Sequence, residues 1–474
     1  MLGNWPTHDE YQQFVLRELS ILAQLDPFAL FEYEKEISKF FILNLDALKT
    51  VIASLYSCTG RPSHQQSEIF RSFVLMNHLG LTLDEWCFKI RNNFVLRTAA
   101  GFVSNDLPGL ASYYDFINRL VALDEKPRLK RKKRKSSKKV GKGKKLPPKR
   151  PGIVARLVER ILQGRRLNNR PDLVLQKIFA DVCVKPSINL DLVTATLSIS
   201  GDGTCIKTGA SHFGVKTCGW NSHKDQWFYG YTGYFISTYN QVLKVDLSIY
   251  LRLIDAKRHD SISAVVALAE FRDLYPDLTV DVFLSDSASD NYPTYELLDH
   301  WKINEVIDLN AKNKGNRKYP AHLSIDDKGI PICPVNHKMI ANGFCGKDRC
   351  RLKWRCPRVL GKVDRSEACD LCSPSSYGRV VYTNPDWDLR LFTKIPRGSS
   401  KWKTKMNERT AAERVNNRIL NHYGIENSKA RGKKRISFFT TIAAFNVHLD
   451  AQLALLKSNG YFDFLELFKI SSAA

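Results

Sequence analysis

The stretch TLSISGDGTCIK, residues 196–207, decides how the rest of the chain is read. Apolar and polar residues alternate well enough for a β-strand, yet Asp202 stands in its middle. An acid is unfavourable in a buried central strand unless an ion pair, a turn or a metal accounts for it. Two more strands are expected at Trp227–Thr238 and Leu243–Ala256, both rich in Tyr, Phe, Ile and Val. A helix over Ser261–Leu274, a strand over Thr279–Leu284, a helix over Tyr292–Trp301 and a strand over Ile303–Leu309 follow.

Three consecutive strands followed by alternation predict an α/β fold, a mixed sheet with helices on its faces. That is the element order of an RNase H-like core. Asp286 ends the apolar run TVDVFLSD, so two carboxylates fall at strand ends, where open α/β sheets bind ligands. Asp290 competes with Asp286, but its place predicts a cap on the next helix. A third acid, Glu413, lies in NERTAAERVNNRIL; as a helix this buries Ala412, Val415 and Ile419 and puts Arg409 one turn before Glu413. Taken singly, each acid is explained by a cap or a surface pair. Together, on separate elements of one fold, Asp202, Asp286 and Glu413 suit two hard cations such as Mg²⁺ or Mn²⁺ and in-line displacement at a phosphodiester.

The charge balance points the same way. The 474 residues carry 72 Lys and Arg against 48 Asp and Glu, a net +24. Residues 126–150 alone hold 15 basic residues and no acid, Lys132, Lys133 and Arg134 among them. Without apolar periodicity this segment is expected to be a disordered linker that contacts phosphate; a passive spacer or a nuclear import signal are the other readings. Before it, residues 1–125 predict a helical DNA-binding or dimerisation domain, with helices at Tyr11–Leu25, Ile37–Leu55, Gln66–His78, Asp84–Phe94 and Tyr113–Leu120, the last capped by Ser112. The start MLGNWPTHDE has no basic or apolar leader, and Ile436–Leu449 is too short to span a bilayer. A soluble, cytoplasmic protein is expected, with its 11 cysteines reduced or metal-bound.

Six of those cysteines fall within 333–372: Cys333, Cys345, Cys350, Cys356, Cys369 and Cys372, with His337 nearby. Structural zinc takes four S or N ligands, and Cys369 with Cys372 form one C-x₂-C half-site. Cys350 and Cys356 are their best partners, though the spacing departs from paired C-x₂-C; reduced thiols are the alternative. The other five, Cys58, Cys87, Cys183, Cys205 and Cys218, read as core residues. Trp387 and Trp402 flank the segment, as packing residues or as platforms for an unpaired base. The domains expected after the linker are 151–310 for the first part of the core, 311–400 for the Cys-rich insertion, and 401–474 for the helices that carry Glu413.

These residues resemble a family. SISGDGTCIKTG with Asp202, VFLSDSASDNY with Asp286 and ERTAAERVNNRI with Glu413 are similar to the catalytic segments of bacterial insertion-sequence transposases of the DDE type. WFYGYTGYFIS and RLIDAKRHDS resemble the family's core strands, and PICPVNHKMIANGFC and WRCP its subgroup with a cysteine-bearing insertion. GFVSNDLPGLASYYDFINRL looks like the helical DNA-binding region. The family's Tyr–Arg–Glu–Lys signature matches at Arg409 and Glu413 but departs at Met406 and Leu420, which leaves Arg414 and Arg418 as replacement phosphate contacts. The resemblance implies an RNase H-like core, Mg²⁺ dependence, cleavage and strand transfer of DNA, recognition of terminal inverted repeats, and a homodimer or higher oligomer on duplex DNA. A nuclease without strand transfer and a DNA-binding protein derived from an inactive transposase are the alternatives.

Overall fold

The strand that holds Asp202 runs over Thr196–Lys207, the bounds expected from its alternation. The computed structural model describes residues 1–470 apart from 104–105, 122–149, 168–169, 171, 209–216, 222–224, 314–317, 346–348 and 365. The basic segment with Lys132, Lys133 and Arg134 lies outside the described residues.

Six strands make the main sheet: β1 (Thr196–Lys207), β2 (Thr217–Asn221), β3 (Gln226–Asn240), β4 (Val245–Asp255), β5 (Thr279–Ser285) and β6 (Asn304–Ile307). β3 pairs antiparallel with β1, β2 and β4. β5 lies parallel to β1, and β6 parallel to β5. The spatial order is therefore β4-β3-β1-β5-β6, with β2 beside β3 past the end of β4, on the side away from β1. The mixed sheet read from the sequence is present. Within this sheet, β2 is the strand that the sequence pattern did not suggest.

Helices cover the sheet. Asp260–Leu274 follows β4, Tyr292–His300 connects β5 to β6, and Thr410–Asn417 packs against β1, β3 and β4. The long helix Gly432–Ser458 lies between β4 and the N-terminal helix Gln66–His78. There Phe438 meets Phe73 edge-on at 4.8 Å, and Phe445 meets Phe70 at 5.3 Å. Lys39 is fully buried and donates to Asp450 at 2.8 Å, a second tie between the first and last parts of the chain. N-terminal helices, sheet and C-terminal helix thus share one hydrophobic core. By length and composition Gly432–Ser458 could cross a membrane, but two thirds of its apolar window is buried, the pattern of a core helix.

Local chemistry explains where helices begin and stop. Thr7 and Thr82 each make a capping box, with Glu10 and Glu85. The expected helix over Ile37–Leu55 is two helices, Glu34–Phe41 and Asp46–Ala53. Asn44 interrupts it by accepting the N–H of Asp46 at 2.8 Å. Asp84–Phe94 also divides: Leu83–Asn92 ends where the Asn93 side chain caps a new helix, Phe94–Ala100. The helix expected at Tyr113 begins at Leu110, after Gly109 rather than a Ser112 cap.

Between β6 and Ser400 the chain forms a separate small core around Met339, Leu352, Trp354 and Phe392. Two-residue strands β7 (Ser324–Ile325) and β8 (Pro331–Ile332) pair, and a three-stranded antiparallel sheet contains β9 (Ile340–Cys345), β10 (Arg351–Arg355) and β11 (Val380–Thr383). Trp387 packs on Phe392 here, while Trp402 packs on the cluster of Val282, Leu284, Val306 and Ile395. Both are packing residues in this structure.

Candidate active site

Asp202 and Asp286 come together through strand register. The last β1–β5 pair is Ser200 with Leu284, so two residues further the chain places Asp286 beside Asp202. Adjacent strands lie ~4.8 Å apart, and residues two apart share a face. Asp286 follows the last residue of β5, and its Oδ1 accepts from Ala288 N at 3.0 Å, which starts a short 3₁₀ turn. Asp202 and Asp286 are both partly buried.

Glu413 reaches the same region on the helix Thr410–Asn417. Ala412, Val415 and Ile419 are fully buried, as the helical spacing requires. Glu413 remains exposed and takes a 2.7 Å hydrogen bond from Arg409. One turn on, Asn416 is buried and donates its Nδ2 to Oδ2 of Asp202 at 2.7 Å. This contact joins the Glu413 helix to β1. The next residue, Asn417, is exposed and accepts from Asn421 instead.

The electrostatics are those of crowded acids. Burial, then Asp286 and Asp260, push the Asp202 carboxyl up to about 6, with Glu413 adding to the rise and Arg409 opposing it. Asp260 is itself pushed up to about 6, by burial and by Asp286. Asp308, just after β6, is raised by burial and Asp286 against Arg409 and Arg397. The sequence reading missed Asp260, although RLIDAKRHDS contains it. Its signal was the glycine on either side of Asp202. A Cβ on Gly203 would fall 2.5 Å from Asp260 Oδ1, and one on Gly201 would fall 2.3 Å from the Tyr234 hydroxyl oxygen. Asp260 and Tyr234 press on the strand from the face opposite Asp202, and only glycine leaves them room.

Asp290 does not cap the helix Tyr292–His300; Asn291 does. Asp290 is instead fully buried and holds Arg390, whose Nε and Nη2 each donate at 2.8 Å. Tyr295 Oη and the Asn310 N–H also donate to it. Arg397, also buried, donates to Ile307 O and Tyr295 Oη. These contacts fasten the chain that leaves the small sheet to the ends of β5 and β6.

Arg414 and Arg418, expected as phosphate contacts, both turn to Asp246 at the start of β4. Arg414 makes a bidentate pair at 2.6 and 2.7 Å, and Arg418 donates to the Asp246 backbone carbonyl. Both thus have a buried carboxylate as partner within the fold. Arg409 faces the acids, bonding Glu413 and lowering Asp202 against its neighbours.

Among the described residues, no three His, Cys, Asp or Glu side chains converge to hold a metal ion. The carboxylates supply hard oxygen donors and an excess of negative charge, which is the chemistry Mg²⁺ or Mn²⁺ requires. Their oxygens are directed at Asn416, Arg409 and the Ala288 N–H, so a cation would have to displace or share those contacts. For the thiols, Cys350 is exposed, Cys369 buried, and Cys356 and Cys372 half-buried, and no three of them converge for zinc. Cys58, expected in the core, is exposed, whereas Cys183 is buried as expected. No family model and no curated protein matches the chain.

Proposed function

We propose that the chain is a DNA transposase of the DDE type, cleaving and joining phosphodiester bonds with Asp202, Asp286 and Glu413. One observation carries the reading: strand register sets Asp286 beside Asp202, Asn416 ties the helix of Glu413 to Asp202, and burial, then Asp286 and Asp260, holds Asp202 above the usual carboxylate range. Such crowding is unfavourable for folding alone and is typical of sites that bind cations. The strand order β4-β3-β1-β5-β6, with the first three antiparallel and the last two parallel, supports an RNase H-like core.

In this reading Asp202 and Asp286 hold the cations from adjacent strands, and Asn416 sets the direction of the Asp202 carboxylate. Arg409 holds Glu413 until a cation or phosphate takes its place. When bound, Mg²⁺ or Mn²⁺ would polarise the phosphodiester and activate the attacking hydroxyl. The N-terminal helices and the basic segment 126–150 would bind the duplex, with the chain acting as an oligomer on element ends. Joining of a 3′-hydroxyl end to a target duplex tests the reading and separates a transposase from a nuclease. A second reading, a DNA-binding protein without catalysis, is favoured by the lack of three converged acids among the described residues. Mg²⁺-dependent cleavage, lost in Asp202→Asn, excludes it.

A further inference from the structure

The outer face of the small insertion sheet carries charge that no carboxylate among the described residues neutralises. Within residues 349–362 there are six Lys and Arg and no acid. β10 alternates strictly: Leu352 and Trp354 are buried in the small core, while Arg351, Lys353 and Arg355 point out together. No described carboxylate forms an ion pair with any of the three. Their neighbours are tyrosines. The Arg351 guanidinium lies 3.8 Å over the ring of Tyr382, which β11 sets opposite Lys353. The Arg355 guanidinium lies 3.6 Å over Tyr377, and Lys353 Nζ donates to the Tyr377 hydroxyl at 2.8 Å. That hydrogen bond, with Arg355 and Lys353 nearby, lowers the Tyr377 phenol below its ordinary pKa, the mark of a positive local field.

We propose that this face, Arg351, Lys353 and Arg355 backed by Tyr377 and Tyr382, binds the phosphate backbone of duplex DNA. The proposal rests on the reading of the chain as a DNA enzyme and adds a binding surface to it. Arg is more weakly hydrated than Lys and stacks on aromatic rings, so the tyrosines hold the guanidiniums in place. Both Nε atoms are buried and Arg355 Nη2 donates to the Tyr377 carbonyl at 3.3 Å, which leaves the other Nη groups to meet phosphate. The three cations span ~13 Å along the strand, a patch rather than a point. The rings facing these cations are already covered by them, which suits phosphate contact rather than stacking of unpaired bases. The surface is also held in fixed relation to the acids. Arg390, seven residues after β11, is clamped to Asp290, four residues after Asp286. A duplex on this face would therefore be registered against the strand ends.

The test uses the full chain with Arg351→Gln, Lys353→Gln and Arg355→Gln together, its fold checked by denaturation midpoint. Binding to a random-sequence duplex is measured across a salt series. Each lost phosphate contact lowers the slope of log K against log salt by ~0.9, so the triple variant should lose a slope of about 2 to 3. Arg351→Lys with Arg355→Lys should keep most of it. Should the triple variant not fold, Lys353→Gln alone should lose ~0.9. An unchanged slope in a folded variant overturns the proposal. So does a loss of binding to phosphatidylserine vesicles with duplex binding intact. If the wild-type chain binds no duplex at all, the reading as a DNA enzyme fails. If it binds and cleaves while the variants keep the full slope, this surface alone is wrong.

Discussion

Asn416 Nδ2 lies 2.7 Å from Oδ2 of Asp202, a hydrogen bond between residues 214 positions apart. It fixes the rotamer of an acid that its neighbours repel, and it couples the helix of Glu413 to β1. Outer contacts of this kind set the affinity of carboxylate sites for cations. Asn416→Ala should therefore weaken Mn²⁺ binding about 10- to 100-fold, by the usual effect of such partners. Titration of the purified chain with Mn²⁺, followed by its paramagnetic signal, measures this. Equal affinity in wild type and variant would remove Asn416 from the site.

Charge crowding predicts a pH dependence with a definite sign. Asp202 and Asp260 are raised from 3.8 to about 6, so the folded state holds protons that the unfolded state has released. Their contribution without divalent cations is largest below about pH 4, declines as pH rises through about 6, and is flat above. Asp202→Asn removes its share of the decline and should stabilise the cation-free protein at pH 7.5 by roughly 1–2 kcal/mol, allowing for partial exposure. Urea unfolding at pH 4.5 and 7.5 compares the two; the gap between variant and wild type should widen with pH.

The two acids at the end of β5 should separate stability from catalysis. Asp290→Asn leaves Arg390 buried without its carboxylate and should cost about 3–5 kcal/mol. Asp286→Asn keeps a side chain that can still accept from Ala288 N and removes a charge that repels Asp202 and Asp260, so without divalent cations it should be at least as stable as wild type. Denaturant midpoints decide this, and a stable Asp290→Asn protein would contradict the account of the Arg390 clamp.

Arg414 is predicted to support the fold rather than hold DNA. Arg414→Ala and Asp246→Asn should each destabilise by roughly 1–2 kcal/mol, with the double variant costing less than their sum. Affinity for duplex should not change in Arg414→Ala, measured at constant salt.

The strands were legible because their patterns are local: TLSISGDGTCIK and TVDVFLSD alternate or run apolar, and turns bound them. Asp202, Asp286 and the buried stripe beside Glu413 followed from that local order. Asn416, Asp260 and Arg390 did not, since their roles arise from contacts between elements far apart in the chain. Asp290 was misread for the same reason. Its position suggested a helix cap, and only the fold brings Arg390 from 100 residues away to occupy it. Arg414 and Arg418 looked like free basic residues on a helix, and Asp246, 168 residues upstream of Arg414, takes their charge. The glycines around Asp202 were visible, but the side chains that require them were not.

Asp202, Asp286 and Glu413 are proposed to act together on DNA phosphodiesters. This is tested most directly with a labelled duplex copied from the DNA flanking the coding sequence, incubated with the full chain in Mg²⁺ and resolved for 3′-hydroxyl cleavage ends. Wild type should cut at a fixed position. Asp202→Asn, Asp286→Asn and Glu413→Gln should each fall at least about 100-fold, the scale expected when an essential catalytic group is removed, while still binding the duplex. Cleavage at wild-type rate by any one of the three folded variants would contradict the account.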